Sequence, residues 1–418
     1  MIFYGWGMLK LSNPKKQSIK QILAGLGLAL SGVFAALFLL EIGARWLPPP
    51  YEADTGQIFS CHPTLGWTGA PNFAGVVEDP NFRQQVTFNS LGMHDTEHTT
   101  VKPPGTFRIL MLGDSFVQAV QVSEAETSHQ VLENLLNQQG QSHFEVLSGG
   151  VVNWGTNQQL IYYRKQGRQF QPDLVLLLFY IGNDFLDNLP GNAMTAGGFN
   201  CYAPYFVMCQ GRLQPEPLAY APGLSSLENS CSSGRLALTN SLGRLFQKSR
   251  LYQHIEPLIV ARQPRQIFGQ RYPSSFSALY FPSGETKLEQ AWQVTEATLI
   301  QLRREVEADG ARFAVVLVSP EIVVRLGMLP PAEQQAVLNA NPVLAQAQAD
   351  RPNRRLAEFL ARQHIPFIDL TPLMTKHLAA HQTPLYLLGE GHWTAEGNRV
   401  AAHILAGWLR QNNHFESR

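Results

Sequence analysis

Three largely apolar runs mark the middle of the chain, Phe107 to Leu112 and Phe144 to Leu147, each with one charged residue (Arg108, Glu145), and the continuous Leu174 to Tyr180, and each ends in a polar loop that carries glycine. Runs without polar alternation are the pattern of strands covered on both faces, as in a parallel sheet. Between the first two, Val131, Leu132, Leu135 and Leu136 recur at helical spacing behind a capping box of Ser123 and Glu126. The loop SGGVVNWGT, 148–156, leads into a second predicted helix. Strand, helix, strand, helix, strand is the doubly wound α/β pattern.

The rhythm breaks from 188 to about 284, a segment rich in proline, serine and glycine with one helical patch around Leu238 to Ile259, and it reads as an insertion over the carboxyl edge of the sheet. It then resumes. Leu288, Ala291, Trp292, Leu299, Leu302 and Val306 predict a helix closed by Gly310, and Phe313 to Val318 the next strand. A helix at Asn353 to Gln363, a short strand at Pro366 to Leu370, and an amphipathic helix through Val400, Ile404, Leu405, Trp408 and Leu409 follow.

The opposite pattern stands at the N-terminus. Gln21 to Leu40 holds no charge, and Lys10, Lys15, Lys16 and Lys20 precede it with no acid. About 20 apolar residues suffice to span roughly 30 Å of hydrocarbon as a helix, and the lysines place the short N-terminus in the cytoplasm and everything after Arg45 outside it. A cleavable signal peptide is the rival, but the sequence that follows, Glu41 to Arg45, suits processing poorly. A buried core helix is a second rival, against which the one-sided lysines argue. The expected organisation is therefore a cytoplasmic N-terminus at 1–20, an anchor at 21–42, a stalk and lead-in subdomain at 43–104, and an α/β domain at 105–418 with the insertion at 188–284.

Composition excludes several classes. With 44% hydrophobic residues the chain is not disordered, and 32 basic against 32 acidic residues give no global field for nucleic acid. Cys61, Cys201, Cys209 and Cys231 have neither a CxxC nor a zinc spacing, and nothing in the sequence asks for a metal or a cofactor. Outside the cytosol they read as disulfides, with three possible connectivities. Pairing Cys201 with Cys209 closes the shortest loop and leaves Cys61 for Cys231.

Candidate chemistry lies at the strand ends. Gly113-Asp114-Ser115, the loop containing Gly150, and Gly182-Asn183-Asp184 each follow a strand of the presumed parallel set, so they converge at one edge of the sheet. A serine hydroxyl attacks an acyl carbon when a base removes its proton. His392 can supply that base, and Glu390 can hold its other nitrogen. The backbone N–H groups of Ser115 and Gly150 and the side-chain amide of Asn183 are the expected oxyanion donors, with glycine at 150 read as leaving room for substrate.

These four blocks, in this order, resemble the SGNH (GDSL-type) hydrolases, named for a serine, a glycine, an asparagine and a histidine, here Ser115, Gly150, Asn183 and His392. The resemblance covers about 105–187 and 285–410, and the lead-in from PNFAGVVEDP to NSLGMHD is similar to that of membrane-anchored bacterial members. It implies a three-layer, flavodoxin-like α/β/α sandwich with a five-stranded parallel sheet, and action on ester-linked acyl groups. Many members carry aspartate three residues before the histidine, where this chain has Gly389. The acid two residues before, Glu390, resembles instead the Asp-x-His-Trp arrangement of relatives that include alginate O-acetyltransferase-like proteins. If Glu390 does not reach, the resemblance leaves a Ser-His dyad.

Plainer roles are expected for several neighbours. Asp114 braces its turn, Asp187 and Asp369 are turn residues, Trp393 packs beside the histidine, and Trp67 and Trp154 plug small cores. The other histidines, His62, His94 and His98 among them, are surface or polar-packed groups. The functional expectation is a membrane-anchored extracytoplasmic serine esterase removing acyl groups, acetyl foremost, from an acylated small molecule or a cell-envelope or exported carbohydrate, with no nucleic acid as partner and the oligomeric state open. The alternatives are an O-acyltransferase modifying a polysaccharide and a non-catalytic glycan-binding or scaffold protein.

Overall fold

A computed structural model describes residues 15–47, 58–138, 143–196, 199–220, 241, 245, 249–251, 279–280, 286–340, 347–388 and 390–412. The helical patch expected around Leu238 to Ile259 lies outside these apart from 241, 245 and 249–251, and Gly389 lies outside them too. The chain opens on helix α1, Lys15–Trp46, of which Gln21–Trp46 is long and apolar enough to cross a membrane. Two antiparallel hairpins follow, β1 (Phe59–His62) with β2 (Gly66–Gly69) and β3 (Ala74–Asp79) with β4 (Phe82–Thr87).

The next elements are β5 (Thr106–Gly113), the single turn α2 (Ser115–Gln118), α3 (Ser128–Asn137), β6 (His143–Gly150), α4 (Thr156–Lys165), β7 (Leu174–Tyr180) and α5 (Asp184–Asp187). The insertion contributes short strands β8 (Ala193–Ala196), β9 (Phe199–Tyr202), β10 (Met208–Cys209) and β11 (Arg212–Leu213). The chain closes with α6 (Thr286–Ala308), β12 (Arg312–Val318), α7 (Glu321–Leu326), α8 (Pro331–Ala340), α9 (Arg351–Arg362), β13 (Phe367–Asp369), α10 (Thr371–His381) and α11 (Ala395–Gln411).

Five of these strands form one parallel sheet in the order β13-β12-β7-β5-β6. Its strands are mostly apolar because both faces are covered, and the charged Arg108 of β5 is paired with Glu145 of β6. Alternate residues divide between two cores: Leu110, Leu112, Val175, Leu177, Val315 and Leu317 face one layer of helices, and Ile109, Met111, Leu176, Leu178, Val316 and Val318 the other. Helices α4, α6 and α9 pack on the first side, and α3, α10 and α11 on the second. The result is the three-layer α/β/α sandwich with a five-stranded parallel sheet.

Three local details differ from the sequence reading. The Ser123–Glu126 capping box closes a 3-10 turn, Glu124–Glu126; Thr127 then leaves helical space and caps α3 itself, its hydroxyl accepting from the backbone N–H of Gln130. Helices α7, α8 and α10 occupy stretches with no strong apolar period. The disulfide pairing is also corrected, since Cys61 is bonded to Cys201 with their Cα atoms 5.3 Å apart, and Cys209 is disulfide-bonded as well. The cause is tertiary. Gly66, at φ +82°, lies so near β9 that a Cβ there would sit 2.6 Å from the carbonyl oxygen of Tyr202. The lead-in and the insertion thus meet, which loop length cannot reveal.

The lead-in is also joined to the main core. Trp67 and Trp154 are fully buried, with the indole N–H of Trp67 donating to the Val152 carbonyl and that of Trp154 to the Trp67 carbonyl. Both fill the core rather than a glycan site.

Candidate active site

Strand β5 delivers Ser115 to the carboxyl edge of the sheet, at the start of α2. Asp114 Oδ1 accepts the backbone N–H of Phe116 at 2.9 Å, which turns the chain sharply at the serine. Ala119, in the left-handed region at φ +48°, ends the helix after one turn. Gly113 pairs in register with Gly150 on β6. A Cβ at Gly113 would lie 2.4 Å from Val117 Cγ2, and one at Gly150 would lie 2.5 Å from Val117 Cβ and 2.9 Å from the Asp114 carbonyl oxygen. Glycine at 150 therefore lets α2 settle onto two strand ends.

His392 comes from the loop before α11, 277 residues away in sequence, and its Nε2 lies 2.7 Å from Ser115 Oγ. Its Nδ1 faces Glu390 Oε1, and Glu390 Oε2 accepts the His392 backbone N–H at 2.9 Å. An ionised carboxylate only accepts, so Nδ1 carries the hydrogen and Nε2 presents its lone pair to the serine hydroxyl. Gly391 makes the reach possible: at φ +91° it folds the chain so that both carboxylate oxygens turn back onto the next residue but one.

Aromatic packing fixes the imidazole from the side. The Phe116 ring centroid is 5.2 Å from that of His392, 5.0 Å from Trp393 and 4.5 Å from Tyr180. Trp393 is 1% exposed and packs edge-on to Phe116, and Gln121 Nε2 donates to its carbonyl at 2.9 Å. The His392 side chain keeps 19% exposure, enough for a substrate to approach. Burial works against the imidazolium, but the bond to Glu390 and the charges of Glu390, Asp114 and Asp79 outweigh it and raise its pKa above the ordinary value.

Asn183 follows β7 and stands at the start of α5. Its side-chain amide is turned towards Asp114, and its Oδ1 is buried without a protein hydrogen-bond partner. Burial pushes the Asp114 carboxyl up to about 6, against the Phe116 N–H, the nearby His392 charge and the Asn183 amide. Asp184, fully buried, is held well above the usual carboxylate range by burial and by the Asp114 and Asp187 charges. Asp369 caps its own turn, accepting the Thr371 N–H at 2.9 Å, while the carboxylate on the imidazole is that of Glu390. Among the described residues, no group of three or more His, Cys, Asp and Glu side chains could hold a metal ion.

Phe116 and Gln121 had no functional reading in the sequence. Phe116 adjoins the serine, which is the one local signal. Gln121 meets the site through tertiary packing alone.

Residues 280–418 match the family model described as SGNH hydrolase-like domain, acetyltransferase AlgX. No curated protein matches the chain. Among solved structures it is similar to a catalytic mutant of an acetylxylan esterase from Geobacillus stearothermophilus, at 11% identity and TM-score 0.35 over 77% of this chain and 100% of that one. It is also similar to the lipase/acylhydrolase from Enterococcus faecalis, at 11% identity and TM-score 0.34 over 73% and 96%. A two-domain esterase active on acetylated mannans matches at 10% identity and TM-score 0.35 over 75% of this chain, which spans 51% of that protein's length.

Proposed function

We propose that the chain is a membrane-anchored, extracytoplasmic serine esterase that removes acyl groups, acetyl foremost, from a cell-envelope or exported carbohydrate, a reading that the match of residues 280–418 to an SGNH hydrolase-like domain supports. The observation that carries the reading is the chain of contacts from Ser115 Oγ to His392 Nε2 at 2.7 Å and from His392 Nδ1 to Glu390.

In this reading Ser115 Oγ attacks the ester carbonyl carbon while its proton passes to His392 Nε2. Negative charge gathers on the former carbonyl oxygen, where the backbone N–H groups of Ser115 and Gly150 and the amide of Asn183 stabilise it. That amide has two hydrogens, so one can serve Asp114 and the other the substrate. The sugar oxygen leaves with the proton returned by His392, and an acyl-serine remains. Water then attacks, giving a proton to His392 that passes back to Ser115 as the carboxylic acid departs. Glu390 stabilises the imidazolium in both halves.

Two observations support the location. Gln21–Trp46 has the length and apolarity of a membrane span, and the Cys61–Cys201 disulfide suits an oxidising compartment. The same acyl-enzyme can pass its group to a sugar hydroxyl, and the acetyltransferase in the matched family's description favours this as the second reading. Full-length protein in detergent is expected to cleave a short-chain nitrophenyl ester and to react with a fluorophosphonate probe, and Ser115→Ala to lose both. An unchanged rate in that variant sinks the assignment. Acylated sugar as the main product, when an oligosaccharide acceptor competes with water, decides for transfer.

A further inference from the structure

Side chains finish the edge of the sheet beside the site. Strand β6 is outermost in the order β13-β12-β7-β5-β6, so the N–H groups on its outer side have no ladder partner. Instead the Phe144 N–H donates to Asn137 Oδ1 at 2.9 Å, the Val146 N–H to Glu133 Oε2 at 2.8 Å and the Ser148 N–H to Asp95 Oδ2 at 2.8 Å. Two residues past the strand the series ends on Val152, whose N–H donates to Gln118 Oε1 at 3.0 Å. The Val152 carbonyl accepts the Trp67 indole N–H at 2.8 Å, so this residue is held on both sides.

Gln118 is the last residue of α2, the single turn that begins with Ser115. Its own N–H donates to the Asp114 carbonyl at 3.1 Å, and its carbonyl accepts from His94 Nδ1 at 2.8 Å. One four-residue turn therefore carries the nucleophile at its start and, at its end, the group that grips the loop after β6. The Gln118 side chain is fully buried, yet its Nε2 has no protein partner. A buried donor left idle costs stability that an apolar residue of the same size would keep, so packing gives no reason for a glutamine here. What the residue uses is its acceptor oxygen, and that oxygen holds Val152, two residues from Gly150.

We propose that Gln118 is a positioning residue for the oxyanion site, fixing the loop after β6 at the distance from Ser115 at which its backbone N–H meets the charge on the substrate oxygen. The proposal rests on the esterase reading above and names what holds one of its donors in place. Donors aimed in advance at the developing charge stabilise the transition state more than the bound ester, so a loosened loop lowers kcat more than it raises KM.

The test uses full-length protein in detergent with 4-nitrophenyl acetate and its thiono analogue, in which sulfur replaces the carbonyl oxygen. Sulfur is larger and a weaker acceptor, so the preference for the oxygen ester reads the fit of the oxyanion donors. Both rates come from one preparation, and their ratio cancels any loss of folded protein. Gln118→Met keeps the volume but not the acceptor, and should narrow the oxygen preference roughly three- to thirtyfold in kcat/KM, mainly through kcat. Gln118→Glu keeps an acceptor and should hold the ratio near that of the wild type. Should the methionine variant not fold, Gln118→Ala, which leaves space for water at the Val152 N–H, is expected to narrow the ratio in the same direction. Asn137→Ala is the control: it frees the Phe144 peptide at the far end of β6 and should lower Tm with the ratio unmoved. An unmoved ratio in folded Gln118→Met or Gln118→Ala overturns the proposal, and so does a Gln118→Glu ratio as narrow as that of Gln118→Met or an equal shift in Asn137→Ala. Wild-type protein that cleaves neither ester counts instead against the esterase reading, and hydrogen exchange across 150–153 then tests the positioning: it should quicken in Gln118→Met and not in Asn137→Ala.

Discussion

Glu390 holds His392 at two points, accepting the backbone N–H with one carboxylate oxygen and facing the ring Nδ1 with the other. The longer side chain of glutamate, which raised the alternative of a dyad in the sequence, is accommodated by the left-handed turn at Gly391. Glu390→Gln should therefore lower kcat on the order of a thousandfold or more, because the amide can present a donor to Nδ1 and favour the wrong tautomer. The pH profile adds a second readout. In the proposed mechanism the base works when neutral, so activity should rise as pH passes upward through the His392 pKa. Glu390 raises that pKa, and its loss should carry the acidic limb downward.

Gly150→Ala tests the packing of α2. The added Cβ meets Val117 Cβ at 2.5 Å, a contact no rotamer relieves. Overpacking of this kind costs about 1–3 kcal/mol, and the displaced helix carries Ser115 with it. We expect a lower Tm in calorimetry together with at least tenfold lower esterase activity. A variant of unchanged Tm and activity would falsify this account of the glycine.

Acid sensitivity follows from His94, which is buried, donates from Nδ1 to the Gln118 carbonyl and leaves Nε2 without a protein partner. Burial pushes its pKa down from an ordinary 6.5 to about 4. Between those values the unfolded chain binds a proton that the native one refuses, so stability falls as pH falls, by on the order of 3 kcal/mol in all. Nearby Asp95 adds to this at lower pH. Despite its burial, His129 and His98 hold its carboxyl well below the usual range, so its contribution is full above the unfolded pKa and is lost in stronger acid. His98 has the opposite sign: its pKa is raised by Asp95 in spite of burial, and its contribution is lost as pH rises through that value. Denaturant midpoints from pH 7 to pH 4 should show the His94 slope, and His94→Asn, whose amide can replace Nδ1–H, should flatten it.

Phe116 offers a test of geometry apart from charge. Phe116→Ala removes the ring that touches His392, Trp393 and Tyr180, and a buried aromatic truncated this way costs about 3–5 kcal/mol. Phe116→Leu, which keeps most of the volume, should stay folded by circular dichroism yet lower kcat more than it raises KM.

The fold and the four blocks were legible because each is a local pattern: an apolar strand, a glycine-bearing loop and a polar residue at its end. Sheet topology then gathers the ends without further information. Other features have no local trace. The contact of β9 with the β1–β2 hairpin, hence the Cys61–Cys201 bond, depends on how an insertion folds back, and loop length gave the wrong pairing. At Gly150 the crowding by Val117 comes from another element and likewise has no local trace.

The same disulfide divides the site in a way the sheet does not. The bond between Cys61 and Cys201 closes a loop of 140 residues that holds Ser115, Gly150 and Asn183, while Glu390 and His392 lie outside it. A single proteolytic cut anywhere inside that ring would leave both pieces covalently tethered, so the half of the site bearing the serine is guarded against nicking. The half bearing the histidine lies outside that ring, and its place beside Ser115 depends on non-covalent contacts.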